Sequence, residues 1–538
     1  MNDKQPIYVL PENVSRTLGK DAQRNNILAA KLVADIVKTT LGPKGMDKML
    51  VDSTGEIIVT NDGVTILEEM EIDHPAAKMM VDIAKTQESE VGDGTTTAAL
   101  IAGKLLENAE KLLDKKIHPT VIVKGYRYAA KKANEILNEI SIPLENKEIL
   151  KKVAMTAMTG KGAEGDKERL SQIIVNSVDL IAQGREADIE DIKIEKIKGD
   201  GISESELVHG IVLDKERANS EMPARVDNAN ILLVDFPLEL KNPEAEAKIS
   251  VSTPEELESF IKSEERFLKE MTDKIIASGA KVVFCQKGID DVAQYYFAKA
   301  GIFACRRVAK SDMEKLARAT SGKIVSNLEG INSEQFGHAE GVEEIKKGEE
   351  ILTYIKGCVN PRAVSVVIRG GTSHVIDEIE RAVKDGLGDV ISSVKSGRIV
   401  AGGGAVEVEL AKRLRSFAKP HGGREQLAIE EFSNALESIP ETLAENAGLD
   451  PIEILTELKK RHEENLQNHG LNLFRNQIED AFVTGIVEPL KVKTQAISSA
   501  SEVAMMILRI DDVLVSGSGG PGGSGPVGPG ISSLQGLD

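Results

Sequence analysis

The chain is poor in several residue types and patterns, and each shortage narrows the possibilities. It contains no tryptophan, only 3% aromatic residues and three cysteines. Cys285, Cys305 and Cys358 stand far apart, without a CxxC pair or a nearby histidine cluster, so we predict buried, reduced, structural thiols. The first residues lack the basic stretch and apolar run of a secretory signal, which predicts no export and a cytoplasmic location.

Long apolar runs are absent as well. The longest uncharged stretch, from Val513 to Leu537, consists largely of Gly, Ser and Pro, which cannot form a spanning helix. We therefore expect a soluble protein that does not use a membrane as a partner.

Several catalytic motifs are also missing. No GxxxxGK[ST] occurs, and no GxGxxG follows a strand and opens a helix, so the common nucleotide-binding folds are not supported. The GxSxG motif is absent, and His462-Glu463-Glu464 fails the HExxH pattern, which removes the hydrolase and zinc-protease interpretations. We interpret His462 as a surface histidine.

Length predicts the number of domains, and net charge limits the kind of partner. At about 150 residues per domain, 538 residues predict roughly three domains, and 41% hydrophobic with 28% charged residues is typical of globular proteins. The formal net charge is −19. Because a nucleic-acid-binding protein needs a basic face, we predict no nucleic acid as the principal partner.

The N-terminal third shows one long helical pattern followed by short strands. From Asp21 to Thr40, apolar residues occupy two adjacent faces, which predicts a largely buried helix. Gly42-Pro43 ends it, and strands are predicted at Met49–Val51 and Ile57–Thr60, with a turn at Asp62-Gly63. The two apolar faces comprise Ile27, Ala30, Ala34 and Val37 on one side and Leu28, Leu32 and Ile36 on the other.

The middle of the chain alternates strand and helix patterns, beginning with the apolar run Ile231–Val234, and predicts a separate α/β domain. Thr253 to Glu256 forms a capping box with an N1 proline before a long helix, and Ser311 to Glu314 is predicted to cap another helix. The apolar stripe of the long helix has two interpretations: core packing, or a surface for a lid or for hydrophobic client segments.

The strongest chemical signal is Val91-Gly92-Asp93-Gly94 followed by Thr95 to Thr97, directly before an apolar helical run. Glycine admits close approach of backbone N–H groups to an anion, hydroxyls add donors, and the helix N-terminus adds about half a positive charge. Taken alone, these residues also fit a capped helix behind a tight turn.

Two further loops favour the anion site if the fold brings them together. Leu41 to Gly45 and Asn61-Asp62-Gly63 could cradle a triphosphate beside the first loop. A carboxylate 4 Å from a phosphate charge would cost about 4 kcal/mol at an effective dielectric near 20. A magnesium ion would remove this conflict, with Asp93 as its ligand and another acid to orient the attacking water.

At these same residues the chain resembles the group II chaperonins, the thermosomes of archaea and their relatives in the eukaryotic cytosol. The resemblance covers all but the last twenty or so residues. It rests on consecutive, correctly ordered segments: TTLGPKGMDKML from Thr39, VTNDGVTIL from Val59, HPAAKM from His74, EVGDGTTTA from Glu90, IHPTVIVKGYR from Ile117, VVFCQKGIDDVAQ from Val282, KSDMEKLARAT from Lys310, VAGGGAVEVELA from Val400 and LAENAGLDPI from Leu443.

The resemblance implies a multidomain α/β chaperonin fold. Residues 1–145 and 402–516 would form a mainly helical equatorial ATPase domain, 146–215 and 368–401 an intermediate hinge domain, and 216–367 an α/β apical domain. Residues from about 238 to 277 would be a helical protrusion acting as a built-in lid, and 517–538 a flexible Gly/Ser/Pro tail. Gly386 and Gly388 stand where the family usually has at least one alanine, which predicts a looser helix there.

The resemblance also implies roles for individual residues. Asp93 would be the magnesium ligand, Asp62 and Asp385 would act in hydrolysis, and Lys161 would sense the γ-phosphate. The phosphates would be held by Leu41, Gly42, Pro43, Gly94, Thr95, Thr96 and Thr97, and the nucleoside by Gly403, Gly404 and Glu488. The sequence alone favours a solvated helix charge for Asp385, and the resemblance reverses this interpretation.

The function implied is an ATPase that drives protein folding in a double-ring chamber. Its cofactors would be ATP and Mg²⁺, and its partners unfolded clients and other subunits, in a homo-oligomer or a mixed ring, without a separate cochaperonin. The alternative is a ring-shaped holding or scaffolding protein without productive ATP cycling. An ATP-dependent small-molecule enzyme lacks any second-substrate motif. Ring size, client identity and thermal habitat are not readable from the sequence.

Overall fold

The structure is a computed structural model that describes residues 14–51, 55, 57–70, 72–162, 164–182, 186–199, 201–239, 254–329, 331–347 and 350–516. The α-helices, in chain order, are α1 (Gly19–Lys38), α2 (Gly63–Glu69), α3 (Pro75–Val91), α4 (Thr95–Asp114), α5 (Pro119–Ile140), α6 (Lys147–Met158), α7 (Lys167–Ile181), α8 (Pro254–Ala277), α9 (Asp291–Lys299), α10 (Lys310–Thr320), α11 (Ser373–Ser396), α12 (Ala405–Ala418), α13 (Gly423–Asn446), α14 (Pro451–Glu463), α15 (Ala481–Thr484) and α16 (Leu490–Leu508). Within the described ranges, none of these helices combines the length and apolar character needed to cross a lipid bilayer.

The strands belong to several small sheets and one larger sheet. In chain order they are β1 (Val14–Leu18), β2 (Lys48–Val51), β3 (Ile57–Thr60), β4 (Ile142–Pro143), β5 (Ile192–Lys198), β6 (Glu206–Val208), β7 (Gly210–Leu213), β8 (Arg225–Val234), β9 (Val282–Cys285), β10 (Phe303–Cys305), β11 (Ile324–Val325), β12 (Gly337–Lys347), β13 (Glu350–Lys356), β14 (Val364–Gly370), β15 (Arg398–Ala401), β16 (His469–Asn472), β17 (Gln477–Asp480), β18 (Val487–Pro489) and β19 (Asp512–Ser516). The mixture of helices and sheets confirms the predicted multidomain α/β class.

Both ends of the chain build one helical body around α4. This helix contacts α1, α3, α13 and α16, and a single core joins residues 27–140 with residues 400–508. At Gly103 a Cβ would stand 2.3 Å from the Cβ of Ala34, so α1 and α4 can approach this closely only where one residue is glycine. The packing fixes the N-terminus of α4, where the predicted anion site begins.

Helix α1 is buried on one face only. Ile27 and Ala30 belong to the core, whereas Leu28 and Leu32 are 47% and 54% exposed. The prediction of a largely buried helix was therefore wrong for Leu28 and Leu32, whereas Ile36 on the same face packs partly buried against the core. A broad apolar stripe does not by itself distinguish core from an apolar surface patch.

The middle body is centred on a sheet with the order β10-β9-β8-β12-β13-β7, in which β11 also pairs with β8. The predicted strand at Ile231–Val234 is confirmed as the buried C-terminal part of β8. Helix α10 begins after Ala309, which makes no side-chain cap, so the predicted cap at Ser311 to Glu314 was wrong. A Ser-x-x-Glu pattern fits the first turn of a helix as well as its cap, and here these residues lie inside the helix.

Part of the predicted protrusion, residues 240–253 with the capping Thr253, lies outside the described residues. In the described part of α8, Leu268 and Ile275 are buried, whereas Phe267 is 53% exposed. Core packing therefore accounts for one side of the helix, and the exposed aromatic residue stays available for the second interpretation.

Between these bodies, a smaller one combines the sheet β5-β14-β6 with α6, α7 and α11 around its own core. Helix α11 is continuous despite its two glycines, because both are contact positions. A Cβ at Gly386 would stand 2.8 Å from Cδ1 of Ile174, and one at Gly388 would stand 2.7 Å from the carbonyl oxygen of Val91. Glycine thus lets α11 pack against α7 and against the loop before α4. The residue boundaries given for the domains stay predictions.

The three cysteines are buried and unpaired, as predicted. Burial raises the pKa of the Cys285 thiol to about 11 and the pKa values of Cys305 and Cys358 to about 12. Because the thiolate is the reactive form, these side chains should be inert in the folded protein.

We predict that a thiol reagent at neutral pH labels essentially none of the cysteines in the native protein and all three after unfolding in guanidinium. Burial and a raised pKa both suppress reaction in the folded state. The measurement is a colorimetric thiol titration over time, with the unfolded protein as the control. Rapid labelling of a native thiol would contradict the burial.

Candidate functional site

A cavity of about 220 Å³ opens in the helical body, at the side that faces the smaller body. The predicted site residues that line it are Leu41, Gly42, Pro43, Asp62, Asp93, Gly94, Thr95, Thr96, Thr97, Lys161, Gly403, Gly404 and Glu488. Asp385 stands behind the wall and is joined to the cavity through a hydrogen bond from Lys161. Residues from distant parts of the chain are thus gathered in one place, while their roles stay predictions.

One end of the cavity is the N-terminus of α4. Gly94 precedes this helix in the left-handed region, at φ +83°, and Gly92 ends α3 at φ +91°. A Cβ at Gly63 would stand 2.6 Å from Oγ1 of Thr96, so the second loop lies directly on the first. Unpaired N–H groups at such a helix start, with threonine hydroxyls beside them, suit an anion.

The loop after α1 forms an adjoining wall. Gly42 adopts φ +81°, and a Cβ there would lie 2.4 Å from Cδ2 of Leu443. Gly160 lies against Pro43 in the same way, because its Cβ would stand 2.5 Å from the Cα of Pro43. These glycine contacts bring the segment that carries Lys161 onto the loop of Gly42 and Pro43.

Asp62 is held rigidly. It is the N-cap of α2, and its Oδ2 accepts hydrogen bonds from the backbone N–H and the hydroxyl of Thr65 at 2.9 and 2.7 Å. The residues predicted as a turn therefore begin a short helix. Oδ1 of Asp62 accepts no hydrogen bond from any residue in the described ranges. One oxygen thus fixes the side chain, and the other remains available at the cavity.

Lys161 connects two acidic side chains from different bodies. It donates a hydrogen bond to Asp385 on α11, and its Nζ lies 3.9 Å from Oδ1 of Asp93. Burial alone would lower the pKa of Lys161, but Asp385 and Asp93 outweigh burial and raise it. Burial raises the pKa of Asp385 to about 8, although Lys161 acts against this shift. The three side chains form a continuous polar line from the cavity to α11.

The opposite end of the cavity is built by a glycine turn and a hairpin. Gly403 and Gly404 adopt φ +65° and +79°, and a Cβ at Gly403 would stand 2.7 Å from the carbonyl oxygen of Leu471 in β16. Glu488 lies on β18, which pairs with β15 just before the turn. Apolar side chains line this end: Ile439, Leu443, Leu471, Leu473, Phe474 and Ile486.

Several residues at the site were missed by sequence reasoning. Thr156, Thr159 and Lys493 line the cavity, and Phe474 stands at its edge with Nζ of Lys167 4.9 Å from its ring. Thr159 directly precedes Gly160-Lys161-Gly162 and could have been found with Lys161, whereas no glycine adjoins Thr156 or Lys493 in the sequence. Asp389, one helical turn after Asp385, is also buried, and among the described residues its Oδ1 has no hydrogen-bond partner. Its spacing of four residues from Asp385 could have indicated a second acid on the same face of α11.

His462 is not a surface residue, and that prediction was wrong. The side chain is fully buried, with Nδ1 2.9 Å from Oε2 of Glu409 and Nε2 2.9 Å from the carbonyl oxygen of His469. It ties α14 to α12 and to the start of β16. The charged residues around His462 in the sequence gave no sign of this burial. Its carboxylate partner Glu409 lies 53 residues earlier, so only the fold brings the two side chains together.

Comparisons with known proteins identify the family of the chain. Residues 33–518 match the TCP-1/cpn60 chaperonin family. The chain is 56% identical over 532 residues to a thermosome subunit beta of Archaeoglobus fulgidus, covering 96% of this chain and 98% of that protein. It is 54% identical to thermosome subunits of Methanopyrus kandleri and Pyrococcus horikoshii, covering 95% of this chain in both cases and 95% and 94% of those proteins. The chain therefore belongs to the TCP-1/cpn60 chaperonin family and, within it, to the group II chaperonins.

Proposed function

We propose that the chain is a subunit of a chaperone that binds unfolded proteins in a double-ring chamber and promotes their folding through ATP binding and hydrolysis. The observation that carries this proposal is the line Asp93–Lys161–Asp385, which runs from a cavity suited to phosphates to a helix of another body. Family membership supports the chaperone role. The proposal that ATP drives this chaperone is supported by the cavity suited to phosphates and by the contacts of Lys161 there.

The residues present fit a nucleotide with its magnesium ion. Glycine positions at the cavity leave no room for a Cβ, and three threonines begin α4. Within the described ranges, no three His, Cys, Asp or Glu side chains cluster as metal ligands, so Asp93 would share the ion with phosphate oxygens. When bound, Mg²⁺ would neutralise charge on the phosphates.

In this proposal the chain's own groups do the positioning. Asp62 and Asp385 accept hydrogen bonds from the attacking water, and the ammonium of Lys161 contacts the γ-phosphate side of the cavity. Leu41, Gly42, Pro43, Gly94, Thr95, Thr96 and Thr97 hold the phosphates, and Gly403, Gly404 and Glu488 hold the nucleoside. Because Asp385 belongs to a different body from Asp62, hydrolysis requires the two bodies to stay closed.

Closure would then move the middle body. Strand β14 of the smaller body connects the last strand of the middle body, β13, to α11. Rotation of α11 towards the cavity would therefore also move the sheet of the middle body. Under this proposal the segments 146–215 and 368–401 act as the hinge, 216–367 as the apical domain, and about 238–277 as a lid that replaces a separate cochaperonin.

Replacing Asp385 by Ala should leave nucleotide affinity within a few-fold of the wild type but lower kcat roughly 100-fold to 10,000-fold, the usual contribution of a positioned acid or base. Steady-state ATPase assays and calorimetric binding of ADP would measure both quantities. Asp377→Ala on the same helix is the matched control, since Asp377 makes an exposed ion pair with Lys196. Equal loss of binding and turnover would exclude the assigned role.

The same variant separates folding from holding. We predict that the wild type with Mg-ATP restores activity to a chemically unfolded, aggregation-prone enzyme, whereas Asp385→Ala suppresses aggregation without restoring activity. The measurements are recovered enzyme activity and light scattering in the same reaction. Aggregation suppressed by both proteins, with no activity recovered by either, would favour a holding protein.

Assembly with further copies of the chain is proposed from two exposed ribbons. β1 pairs only with β19, and β2 only with β3, among the strands in the described ranges. Met49 and Val59 are cross-strand partners on the second ribbon, as are Val51 and Ile57, and all four are exposed. A two-stranded ribbon is marginal alone and its edges are unpaired. We propose that a neighbouring subunit covers this face in the ring.

The double substitution Met49→Glu with Val59→Glu should convert the assembly to monomers or small oligomers, because it buries two charges in the proposed contact. Analytical ultracentrifugation measures the change. Ile452→Glu is the control, since Ile452 is an exposed apolar residue on α14, a helix that packs against α12, α13 and the hairpin of β16 and β17. A double variant that sediments like the wild type would show that another surface makes the ring.

A further inference from the structure

A buried lysine stands between two carboxylates at the end of the cavity opposite α4. Nζ of Lys493, in the first turn of α16, lies 2.9 Å from Oε1 of Glu407 and 2.7 Å from Oε2 of Glu488. Lys493 and Glu488 both line the cavity, whereas Glu407 lies behind them at the start of α12. One ammonium group thus joins the start of α12 to the consecutive elements β18 and α16, which are distant from it in sequence.

The group is too buried to be a surface ion pair. The side chains of Lys493 and Glu407 are 6% and 2% exposed, while that of Glu488 is 19% exposed. Burying such charges is costly, and a buried pair is weak evidence for stability alone. Moreover, Oε2 of Glu407 has no hydrogen-bond partner among the described residues. An apolar cluster would fill this space at lower cost, so the charges need an explanation other than stability.

The contacts of Glu488 suggest what the arrangement does. Its Oε2 is occupied by Lys493, and its Oε1 lies 3.0 Å from where a Cβ of Gly402 would stand. Glycine at 402 is therefore what leaves space beside this oxygen. Oε1 accepts no hydrogen bond from any residue in the described part of the chain. Glu488 thus keeps one oriented acceptor oxygen while the other oxygen is fixed.

We propose that Lys493 is a positioning residue for nucleoside recognition: anchored by Glu407, it holds Glu488 so that one carboxylate oxygen accepts a hydrogen bond from a ribose hydroxyl. Without Lys493, the carboxylate would be free to rotate and would lose its neighbouring positive charge. This inference rests on the proposed nucleotide site and adds a source of specificity to it. The acceptor oxygen would accept this hydrogen bond from either the 2′ or the 3′ hydroxyl.

The test compares ADP with 2′-deoxy-ADP and 3′-deoxy-ADP by calorimetry on the assembled full-length protein. We expect the wild type to bind ADP about tenfold or more tightly than at least one analogue, as for a hydrogen bond to a charged group. In Lys493→Met this ratio should fall close to one. Lys491→Met is the matched control, because Lys491 on the same helix contacts Gln495 instead of the carboxylates, and it should keep the wild-type ratio.

A second variant covers the possibility that Lys493→Met does not fold with two buried carboxylates left unpaired. Lys493→Met with Glu407→Gln removes one of those charges and keeps Glu488 in place, and we expect the same loss of discrimination. Wild-type discrimination in either folded Lys493 variant would overturn the proposal. Equal binding of all three nucleotides by the wild type would overturn it while leaving the ATP site intact, whereas failure to bind ADP would overturn both.

Discussion

Helix α11 can reach the cavity because its backbone touches the backbone of the loop before α4. The contact is possible only where side chains are absent: Gly388 lies on Val91 and Gly92, and a Cβ at either glycine would collide. Asp385 lies one helical turn before this contact, and its position relative to Lys161 depends on it. Gly386 and Gly388, inside α11, each lower the helix propensity by up to about 1 kcal/mol relative to alanine. This cost is offset by the close approach that they permit.

The cavity is surrounded by acidic side chains, and two lysines stand among them. Asp62, Asp93 and Glu488 line it, Asp385 and Asp389 stand behind it, and the whole chain carries a net charge of −19. An anionic ligand would be repelled by these groups unless cations stand among them. Lys161 and Lys493 occupy such positions, one at each end of the cavity.

Sequence reasoning located the site where its residues are contiguous. The loops around Gly42, Asp62 and Asp93 were recognised as a candidate anion site from glycine, hydroxyl-bearing and acidic residues within a few positions of each other. In the structure, all three loops line one cavity. Lys493 and His462 were missed or misjudged because each pairs with a carboxylate on α12, Glu407 or Glu409, that lies more than about 50 residues earlier in the chain. Burial is decided by tertiary packing, and neither residue carries a local pattern that reveals it.

The two lysines differ in what they join: Lys161 connects two bodies, whereas Lys493 connects neighbouring elements at one end of the cavity. Lys161 bridges Asp93 in the helical body and Asp385 in the smaller body, so the bridge breaks when the two bodies move apart. Lys493 on α16 joins Glu407 on α12 and Glu488 on β18. Helices α12 and α16 belong to the helical body, and β18 directly precedes α16. The nucleoside end would therefore be preorganised before a nucleotide arrives, whereas the phosphate end would be completed by closure. In the proposed cycle, such a site would bind its nucleotide first and would become competent for hydrolysis only after the hinge has moved.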